Sequence, residues 1–438
     1  MGPLNEMMKK DMKAGQADIK YKIDWTTLGE YLRFLEKKGV SPNIASFIGT
    51  ATVRVYTIGY DNRPPTPDEL DSMKMLVRQA MEEGALGVSS ALQYVPATFA
   101  KSDELIALAR EAAAYDGMYI SHVRDEGKDL LAAVDELIDV AARTGVRAEV
   151  YHLKQSGKAS WDLLDDVINK IDSARSAGLM ITADMYNYVA SSTGFDIVMP
   201  AWVQEGGLDS WLRRLKDPVI RKKIAPEISN AIMQRTGSAD KVLIIGFNND
   251  SLKYLTGKTL AEIAAMRNKS VEETVMDLVI DDASRLGVVY FSMSEDNIKR
   301  QMSLPWMSFC SDGGSYATEG EFLKFSTHPR AYGNFARLLG KYVRDEKVIP
   351  LEEAIHKLTT FPAINLKLDR RGSLKQGYYA DIVIFDKTKI RDNATFDNPH
   401  QYATGMVHVF VNGVQVIRDG DHTGATPGRV VRGPGFKL

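Results

Sequence analysis

The chain has 438 residues, of which 44% are hydrophobic and 26% are charged, a composition that is ordinary for a soluble globular protein. Its 55 Lys and Arg residues nearly balance 57 Asp and Glu residues, and the formal net charge of −2 gives no reason to expect nucleic acid or an anionic membrane as a partner. The single cysteine, Cys310, excludes an intrachain disulfide and a cysteine-rich zinc module. No apolar run approaches the roughly 20 residues of a membrane-spanning helix, and the first residues lack the apolar stretch of a secretory signal. We therefore expect a cytoplasmic protein.

The N-terminal part of the chain is predicted to precede the main fold. Residues 1–20 are polar and rich in Met and Lys, and we assign residues 1–24 to a linker or surface segment. A first buried strand is predicted at Ile44–Ile48. The motif Thr66-Pro67-Asp68-Glu69 is typical of a capping box with proline at the first helical position, and it predicts a helix that runs to Glu83.

Four short apolar runs follow at regular intervals and indicate a barrel. They end at positions 90, 122, 152 and 184, so the steps are 32, 30 and 32 residues. A (β/α)8 barrel uses roughly 250 residues for eight strand–helix units, or about 31 per unit. A doubly wound open sheet would also alternate strands and helices, but the regular step favours the barrel. The four runs are Leu86–Ser90, Met118–His122, Ala148–His152 and Met180–Asp184.

The barrel is predicted to occupy residues 25–365, with an interruption. Residues from about 196 to 300 break the regular step and are interpreted as an insertion, to which the apolar run Val242–Phe247 may belong. A last barrel strand is predicted at Met307–Ser311. With every candidate counted there are seven strands, so at least one of the eight is missing, and the gap is placed at the N-terminal end.

The C-terminal part, residues 366–438, is predicted to form a small β domain and a tail. Tyr379–Phe385 is rich in strand-forming residues. The runs Val407–Val411 and Val414–Ile417 flank Asn412-Gly413, which is a strong hairpin signal.

The ends of the predicted barrel strands carry residues that could form an active site, because side chains at the C-terminal ends of barrel strands converge. His122, His152 and Asp184 end three strands, and Asp312 follows the last one. Two imidazoles with a carboxylate favour a divalent metal, zinc above all, although a single histidine at a strand end is more often structural. Zinc acidifies bound water, and a carboxylate beside it could move the proton.

Several further polar residues follow these strand ends and would rim the same pocket. Arg124 and Glu126 come after His122, and Lys154 comes after His152. Arg330 lies in a predicted loop and could bind a carboxylate through two parallel hydrogen bonds. Each of these residues could instead be a solvated surface charge.

The motifs around these positions resemble the N-acyl-D-amino-acid deacylase (D-aminoacylase) branch of the amidohydrolase superfamily. The similarity runs from about residue 25 to the end of the chain, and the order and number of the motifs make it specific. The motifs are Tyr119-Ile120-Ser121-His122-Val123-Arg124, Tyr151-His152-Leu153-Lys154, Ala183-Asp184-Met185-Tyr186-Asn187-Tyr188, Cys310-Ser311-Asp312-Gly313, Thr327-His328-Pro329-Arg330-Ala331-Tyr332-Gly333 and Arg371-Gly372-Ser373-Leu374, followed by Gly377-Tyr378-Tyr379-Ala380-Asp381-Ile382-Val383.

The resemblance implies a barrel with one or two zinc ions that hydrolyses the linear amide of N-acyl-D-amino acids. It implies that His122 and His152 bind the metal and that Asp312 is the general base and then the general acid. It further implies that a small-molecule substrate is held through its carboxylate by Lys154, Tyr186 and Arg330, in a pocket that Tyr94 and Ser192 line.

The sequence departs from this family at one end. The family has a His-x-His pair on its first strand, and its better-known members have a cysteine ligand on the second strand. This chain contains no His-x-His, and Thr50 stands where many members have histidine after glycine. We expect these elements to lie upstream of Met1 in a longer protein, the alternative being a natural short form with incomplete metal binding.

Three functions are compatible with the sequence. The first is deacylation of N-acyl-D-amino acids. The second is hydrolysis of cyclic amides, of the hydantoinase or dihydroorotase type. The third is an inactive truncated homologue that acts as a binding subunit. The oligomeric state, the preferred side chain and the acyl group are left open.

Overall fold

A computed structural model describes residues 2–16 and 18–437 and contains a parallel sheet, an antiparallel sheet beside it and a small separate β domain. The predicted α/β fold with a parallel sheet and a small C-terminal β domain is confirmed. In chain order the strands are β1 Ile48–Gly49, β2 Gly87–Ala91, β3 Met118–His122, β4 Arg147–Val150, β5 Ile181–Met185, β6 Ala190–Gly194, β7 Val242–Gly246, β8 Gly287–Phe291, β9 Met307–Phe309, β10 Ile382–Phe385, β11 Met406–Val411, β12 Val414–Arg418 and β13 Asp421–His422.

Helices follow most of these strands. Among the described residues, no helix is long and apolar enough to span a bilayer. The helices are α1 Glu6–Ala14, α2 Leu28–Lys38, α3 Thr50–Thr57, α4 Pro67–Glu82, α5 Ser102–Ala114, α6 Leu130–Thr144, α7 Leu164–Ser176, α8 Ala201–Gln204, α9 Leu208–Leu215, α10 Pro218–Thr236, α11 Leu260–Arg267, α12 Val271–Asp282, α13 Glu295–Met302, α14 Arg330–Arg337, continued by a π-helix over Leu338–Asp345, α15 Leu351–Leu358 and α16 Thr360–Asn365.

The strands of the parallel sheet position most of the residues of the candidate active site. The strand order of this sheet is β1-β2-β3-β4-β5-β9, and every neighbouring pair is parallel. β1 and β9 stand at the two ends of this order. The helices α3 to α7 connect successive strands and pack their apolar faces on the sheet, which forms the larger hydrophobic core.

Local sequence signals account for the helix ends. The Thr66 side chain accepts a hydrogen bond from the N–H of Glu69, and the Glu69 carboxylate accepts one from the N–H of Thr66. These two hydrogen bonds form the capping box that the sequence predicts at the start of α4. α6 ends at Gly145, which adopts a left-handed conformation with a φ of 70°.

One predicted strand differs from the structure, and a second takes the place in the insertion that the sequence left open. Of the predicted strand Ile44–Ile48, only Ile48 enters the parallel sheet, as the first residue of β1. The N–H of Ile44 instead donates to the carbonyl of Arg429 in the C-terminal tail. The run Val242–Phe247 forms β7, which pairs with β8 outside the barrel. A short apolar run can form a strand in any buried sheet, so the sequence pattern alone could not show which strand or segment each run pairs with.

The region after β5 builds a structure of its own. Its antiparallel sheet has the order β6-β8-β7, and α8 to α12 pack around it. These elements share a second hydrophobic core that includes Phe195, Trp211, Ile228 and Tyr290. The unit from β6 to β8 is called the insertion below. The bounds of about 196–300 that the sequence suggests stay a prediction.

In the described residues, the N-terminal segment forms a helix that packs against the rest of the fold. α1 is capped by Asn5, whose side chain accepts from the N–H of Met8. Leu4 and Met8 are buried and pack with Trp25 and Val55, the latter on α3. Residues 1 and 17 of the predicted segment lie outside the described residues.

Candidate active site

The ends of β2 to β5 surround a cavity of about 520 Å³, within the usual size range of small-molecule sites. Seven of the eight residues that the sequence proposes for the site line it, and Arg330 contacts three of them, Asp312, Tyr186 and Ser192. The parallel strands contribute one wall and the insertion contributes the other. The lining residues used below are Tyr94, His122, Glu126, His152, Lys154, Tyr186, Ser192, Arg235 and Asp312.

The two predicted metal ligands face each other. His122 is the last residue of β3, and His152 lies two residues beyond β4 with a φ of 41°. His122 Nδ1 lies 2.9 Å from His152 Nε2, and the ring centroids are 4.6 Å apart at an interplanar angle of 80°. Burial lowers the pKa of His122 well below its ordinary value, which favours the neutral imidazole that a metal needs.

A buried ion pair lies directly beside the histidines. Lys154 Nζ donates to Glu126 Oε1 at 2.5 Å and lies 2.6 Å from His152 Nδ1. Burial alone would raise the pKa of Glu126, but the charge of Lys154 and the two imidazoles hold it well below its usual range. Glu126 is therefore ionised and balances Lys154 inside the cavity.

Asp184 does not face the cavity, although the sequence placed it at a strand end. It lies within β5, and its carboxylate accepts the backbone N–H of His152. Burial and the neighbouring Glu149 raise the pKa of Asp184 well above its usual range. This hydrogen bond fixes the backbone that holds His152 in its left-handed conformation.

Asp312 and Arg330 form a second ion pair at the cavity wall. Arg330 Nη2 lies 2.8 Å from Asp312 Oδ2, and the exposed fractions of the two side chains are 5% and 27% respectively. The Arg330 guanidinium stacks on the Tyr186 ring at 4.4 Å from its centroid. Its Nε and Nη1 atoms are buried without a hydrogen-bond partner, so the guanidinium keeps donors for a ligand.

Tyr94 and Ser192 lie on the side of the cavity that faces the insertion. The Tyr94 hydroxyl lies 2.9 Å from Thr193 Oγ1, and the Ser192 hydroxyl donates to the carbonyl of Val288 at 3.0 Å. Burial raises the pKa of Tyr94 to about 12. Tyr94 is therefore an uncharged hydrogen-bonding group at any physiological pH.

Glu126 was predicted only to rim the cavity, and Arg235, which also lines it, was not predicted. Glu126 follows His122 by four residues, and this spacing was a usable signal. Arg235 belongs to α10 of the insertion, and no local pattern indicates that it would reach the barrel.

The cavity contains one group of side chains that could hold a metal ion. The ligand atoms of His122, Glu126 and His152 lie within 4.8 Å of one another, and all three residues are buried. His122 Nε2 is buried and has no hydrogen-bond partner. Two imidazoles and a carboxylate are a donor set that suits zinc. Asp312 lines the same cavity but lies outside this group.

Comparison with protein families decides the classification. A model described as "Amidohydrolase family" matches residues 16–417. This chain belongs to the amidohydrolase family. The family prediction made from the motifs is confirmed, and with it the enzyme class, a hydrolase of carbon–nitrogen bonds other than peptide bonds.

Individual relatives cover most of the chain. The D-aminoacylase of Alcaligenes xylosoxydans xylosoxydans is 30% identical over 406 residues, which are 92% of this chain and 72% of that protein. The N-acyl-D-glutamate deacylase of the same organism is 31% identical over 405 residues, again 92% of this chain and 72% of that protein.

Solved structures of such enzymes share the fold. The N-acyl-D-glutamate deacylase from Bordetella bronchiseptica, crystallised with zinc and a phosphonate inhibitor, superposes with a TM-score of 0.77 at 28% identity over 94% of this chain and 76% of that chain. A D-aminoacylase crystal structure also superposes with a TM-score of 0.77, at 30% identity over 93% of this chain and 75% of that chain.

Proposed function

We propose that this protein hydrolyses the linear amide bond of N-acyl-D-amino acids with a bound zinc ion, releasing a carboxylic acid and a D-amino acid. The observation that carries the proposal is the convergence of two imidazoles and a buried carboxylate in a cavity that Asp312 also lines. The similarity to D-aminoacylase and to N-acyl-D-glutamate deacylase supports the same reaction.

His122 and His152 would hold the ion, through the nitrogen atoms that face each other. Glu126 lies 3.3 Å from His152 Nδ1, so it is positioned either as a third ligand or as the acceptor that orients this imidazole. When bound, zinc supplies Lewis-acid chemistry that polarises the amide carbonyl and makes the attacking water more acidic.

Asp312 would move the proton. Its carboxylate accepts a proton from the attacking water and returns it to the amide nitrogen as the carbon–nitrogen bond breaks, so that water is consumed and two products leave. Arg330 holds the Asp312 carboxylate in place through the 2.8 Å contact. The ion pair keeps the carboxylate at the wall where it can reach the scissile bond.

The substrate carboxylate would bind between Lys154, Tyr186 and Arg330. Arg330 has two unpartnered buried nitrogen atoms, and Lys154 carries three donors. With the carboxylate and the amide both fixed, only one hand of the α-carbon directs its side chain into the open part of the cavity, towards Tyr94 and Ser192. This arrangement supports selection of the D-enantiomer.

The test combines metal content with turnover. We expect about one zinc ion or more per chain by elemental mass spectrometry, and release of free amine from N-acetyl-D-amino acids but not from their L-enantiomers. His122→Asn and His152→Asn should lose the metal and the activity. His408→Asn is the matched control, since His408 lies on β11 in the small β domain.

The same samples decide between the remaining functions. Hydrolysis of hydantoins in preference to N-acetyl-D-amino acids would replace the proposal with a cyclic-amide hydrolase. Bound N-acetyl-D-amino acid without any turnover, with zinc supplied, would indicate a binding protein.

A further inference from the structure

Tyr151 lies in the cavity directly before the candidate metal ligand His152. It follows the last residue of β4, and its N–H donates to the carbonyl of Ser121 on β3 at 2.8 Å. Its ring lies against the imidazole of His152, with 4.8 Å between the ring centroids and an interplanar angle of 54°. Tyr151 and Asp312 line the same cavity. The tyrosine therefore borders the space that a candidate metal ligand shares with the carboxylate proposed to move the proton.

The Tyr151 hydroxyl has no hydrogen-bond partner among the residues that the structure describes. Tyr94 and Tyr186, which also line the cavity, use theirs: the Tyr94 hydroxyl lies 2.9 Å from Thr193 Oγ1, and that of Tyr186 donates to Met293 Sδ at 3.7 Å. Tyr151 is 36% exposed, so a ligand in the cavity can reach it. Its O–H can donate to that ligand without the loss of another hydrogen bond.

The surroundings of Tyr151 keep this hydroxyl protonated. Burial raises the pKa of Tyr151 above its ordinary value, and the nearby acidic groups of Asp184, Cys310 and Asp312 raise it further. The side chain is therefore a neutral proton donor at any physiological pH.

The cationic side chains beside the histidines already have partners. Lys154 pairs with Glu126. Arg330 pairs with Asp312, and its free nitrogen atoms hold the substrate carboxylate in the proposed function. Hydrolysis of an amide also develops negative charge on the carbonyl oxygen, and fixed donors directed at that oxygen usually contribute much of the rate. Tyr151 offers an accessible donor that no other group of the cavity occupies.

We propose that the Tyr151 hydroxyl donates a hydrogen bond to the oxygen of the scissile amide and stabilises the negative charge that develops there as water adds. This inference rests on the proposed function. The hydroxyl keeps its proton throughout, so Asp312 alone exchanges a proton with the water and the amide nitrogen. Because the hydrogen bond is stronger to a charged oxygen than to a neutral carbonyl, it lowers the barrier more than it tightens substrate binding.

The variant Tyr151→Phe removes the hydroxyl and keeps the ring against His152. It should lower kcat for N-acetyl-D-leucine by about 100-fold, while KM, the zinc content and the free energy of unfolding change little. Tyr115→Phe is the matched control, because it removes a hydroxyl that donates to Glu82 at 2.7 Å outside the cavity, and it should keep the wild-type kcat.

A second substrate separates charge stabilisation from a structural effect. In N-trifluoroacetyl-D-leucine the fluorine atoms withdraw electrons from the carbonyl and stabilise the negative oxygen themselves. The loss of kcat/KM in Tyr151→Phe should therefore be about tenfold smaller for this compound than for N-acetyl-D-leucine. An equal loss for both compounds would overturn the role of Tyr151, since a displaced His152 or Asp312 would affect them alike.

A binding measurement separates this inference from the proposed reaction, because it needs no turnover. The probe is a phosphonate in which a tetrahedral phosphorus replaces the carbonyl carbon of N-acetyl-D-leucine. By isothermal titration, Tyr151→Phe should bind it about 10-fold or more weakly than the wild type and should bind D-leucine equally well. Equal phosphonate affinity together with an equal kcat would overturn the role of Tyr151 alone. A wild type that neither binds the phosphonate nor hydrolyses the amide would overturn the proposed function and this inference with it.

Discussion

Asp312 and Arg330 are bound to each other at the cavity wall, and their burial differs. The Arg330 side chain is almost fully buried beneath Tyr186, whereas that of Asp312 is about a quarter exposed. A buried guanidinium that is stacked on an aromatic ring can hold a carboxylate in one orientation. Asp312 is therefore the carboxylate that we propose for the proton transfer, because Glu126 is occupied by Lys154.

The first prediction concerns this proton transfer. Asp312→Asn should lower kcat by about 100-fold or more, because general acid–base catalysis contributes roughly 10²–10⁴ in rate, while the free energy of unfolding changes little. Steady-state kinetics and denaturant unfolding measure the two effects. Asp392→Asn is the control, since Asp392 also pairs with an arginine, Arg337 at 3.1 Å, outside the cavity. An unchanged kcat would assign the proton transfer to another group.

A second residue-scale feature is the buried imidazole of His328. Its Nε2 lies 2.9 Å from the carbonyl of Ala190, and its Nδ1 accepts the N–H of Arg330 at 3.0 Å. Burial and the Arg330 charge lower its pKa well below the ordinary value. The folded protein thus holds His328 neutral and uses it to fix the start of α14.

The second prediction follows from that pKa. The unfolded chain binds a proton at His328 near pH 6.5 and the folded chain does not, so stability is lost as the pH falls below about 6.5, by at most about 1.4 kcal/mol per pH unit for one group. In His328→Gln the free energy of unfolding should fall less steeply between pH 6.5 and 5 than in the wild type. His422→Gln, at an exposed position, should keep the wild-type slope. Parallel slopes for all three proteins would contradict this explanation.

At the scale of elements, contacts between the insertion and the barrel shape the cavity. β6 supplies Ser192 directly after β5, and α10 ends against the loop that follows β4. The N–H of Gly157 donates to the carbonyl of Ser292, which follows β8, at 2.9 Å. The loop with Lys154 is therefore held by the barrel on one side and by two elements of the insertion on the other.

The third prediction tests this contact through Gly157. Gly157→Ala should destabilise the protein by about 2 kcal/mol or more, because the positive φ and the collision of a side chain with the carbonyl oxygen of Gln234, in the last turn of α10, add, and it should also lower activity. Gly237→Ala is the control, since Gly237 has a φ of 76° but open space around it, and it should cost only the conformational term of about 1 kcal/mol. Thermal unfolding and kcat/KM of both variants separate the effect of the collision with Gln234 from the cost of the positive φ. Equal effects would show that the contact with α10 contributes nothing.

At the scale of the whole molecule, the C-terminal tail pairs with the segment that leads into β1. The N–H of Ile44 donates to the carbonyl of Arg429 at 2.9 Å, and the N–H of Val431 donates to the carbonyl of Ile44 at 2.7 Å. Val430 between them is buried in the larger core. The C-terminal tail thus packs beside the first strand–helix unit of the barrel and contributes Val430 to its core.

The fourth prediction addresses that packing. Val430→Asp should destabilise the protein by about 2–4 kcal/mol, because a charge would be placed in an apolar site without a partner. Arg429→Asp alters the charge at the neighbouring exposed position and should change the stability by less than about 0.5 kcal/mol. Denaturant midpoints of both variants make the comparison. If the two midpoints agree, the tail does not support the barrel core.

By itself the sequence indicated local elements and the pair of candidate metal ligands, His122 and His152. The capping box at Thr66 and the regular step of the apolar runs are properties of neighbouring residues, and they predicted α4 and the alternation of parallel strands with helices. His122 and His152 were found because equivalent ends of parallel strands lie side by side. The roles of these residues stay predictions until the metal is measured.

The tertiary structure alone decided which charges face each other. The pairs Lys154–Glu126 and Arg330–Asp312, the pairing of β7 with β8, and the entry of Arg235 into the cavity join residues that are far apart in the chain or on different elements. Such contacts depend on how whole elements pack against each other, and a local period or cap carries no information about that packing. The sequence could therefore indicate candidate residues of the site, whereas the pairing of charges within it required the fold.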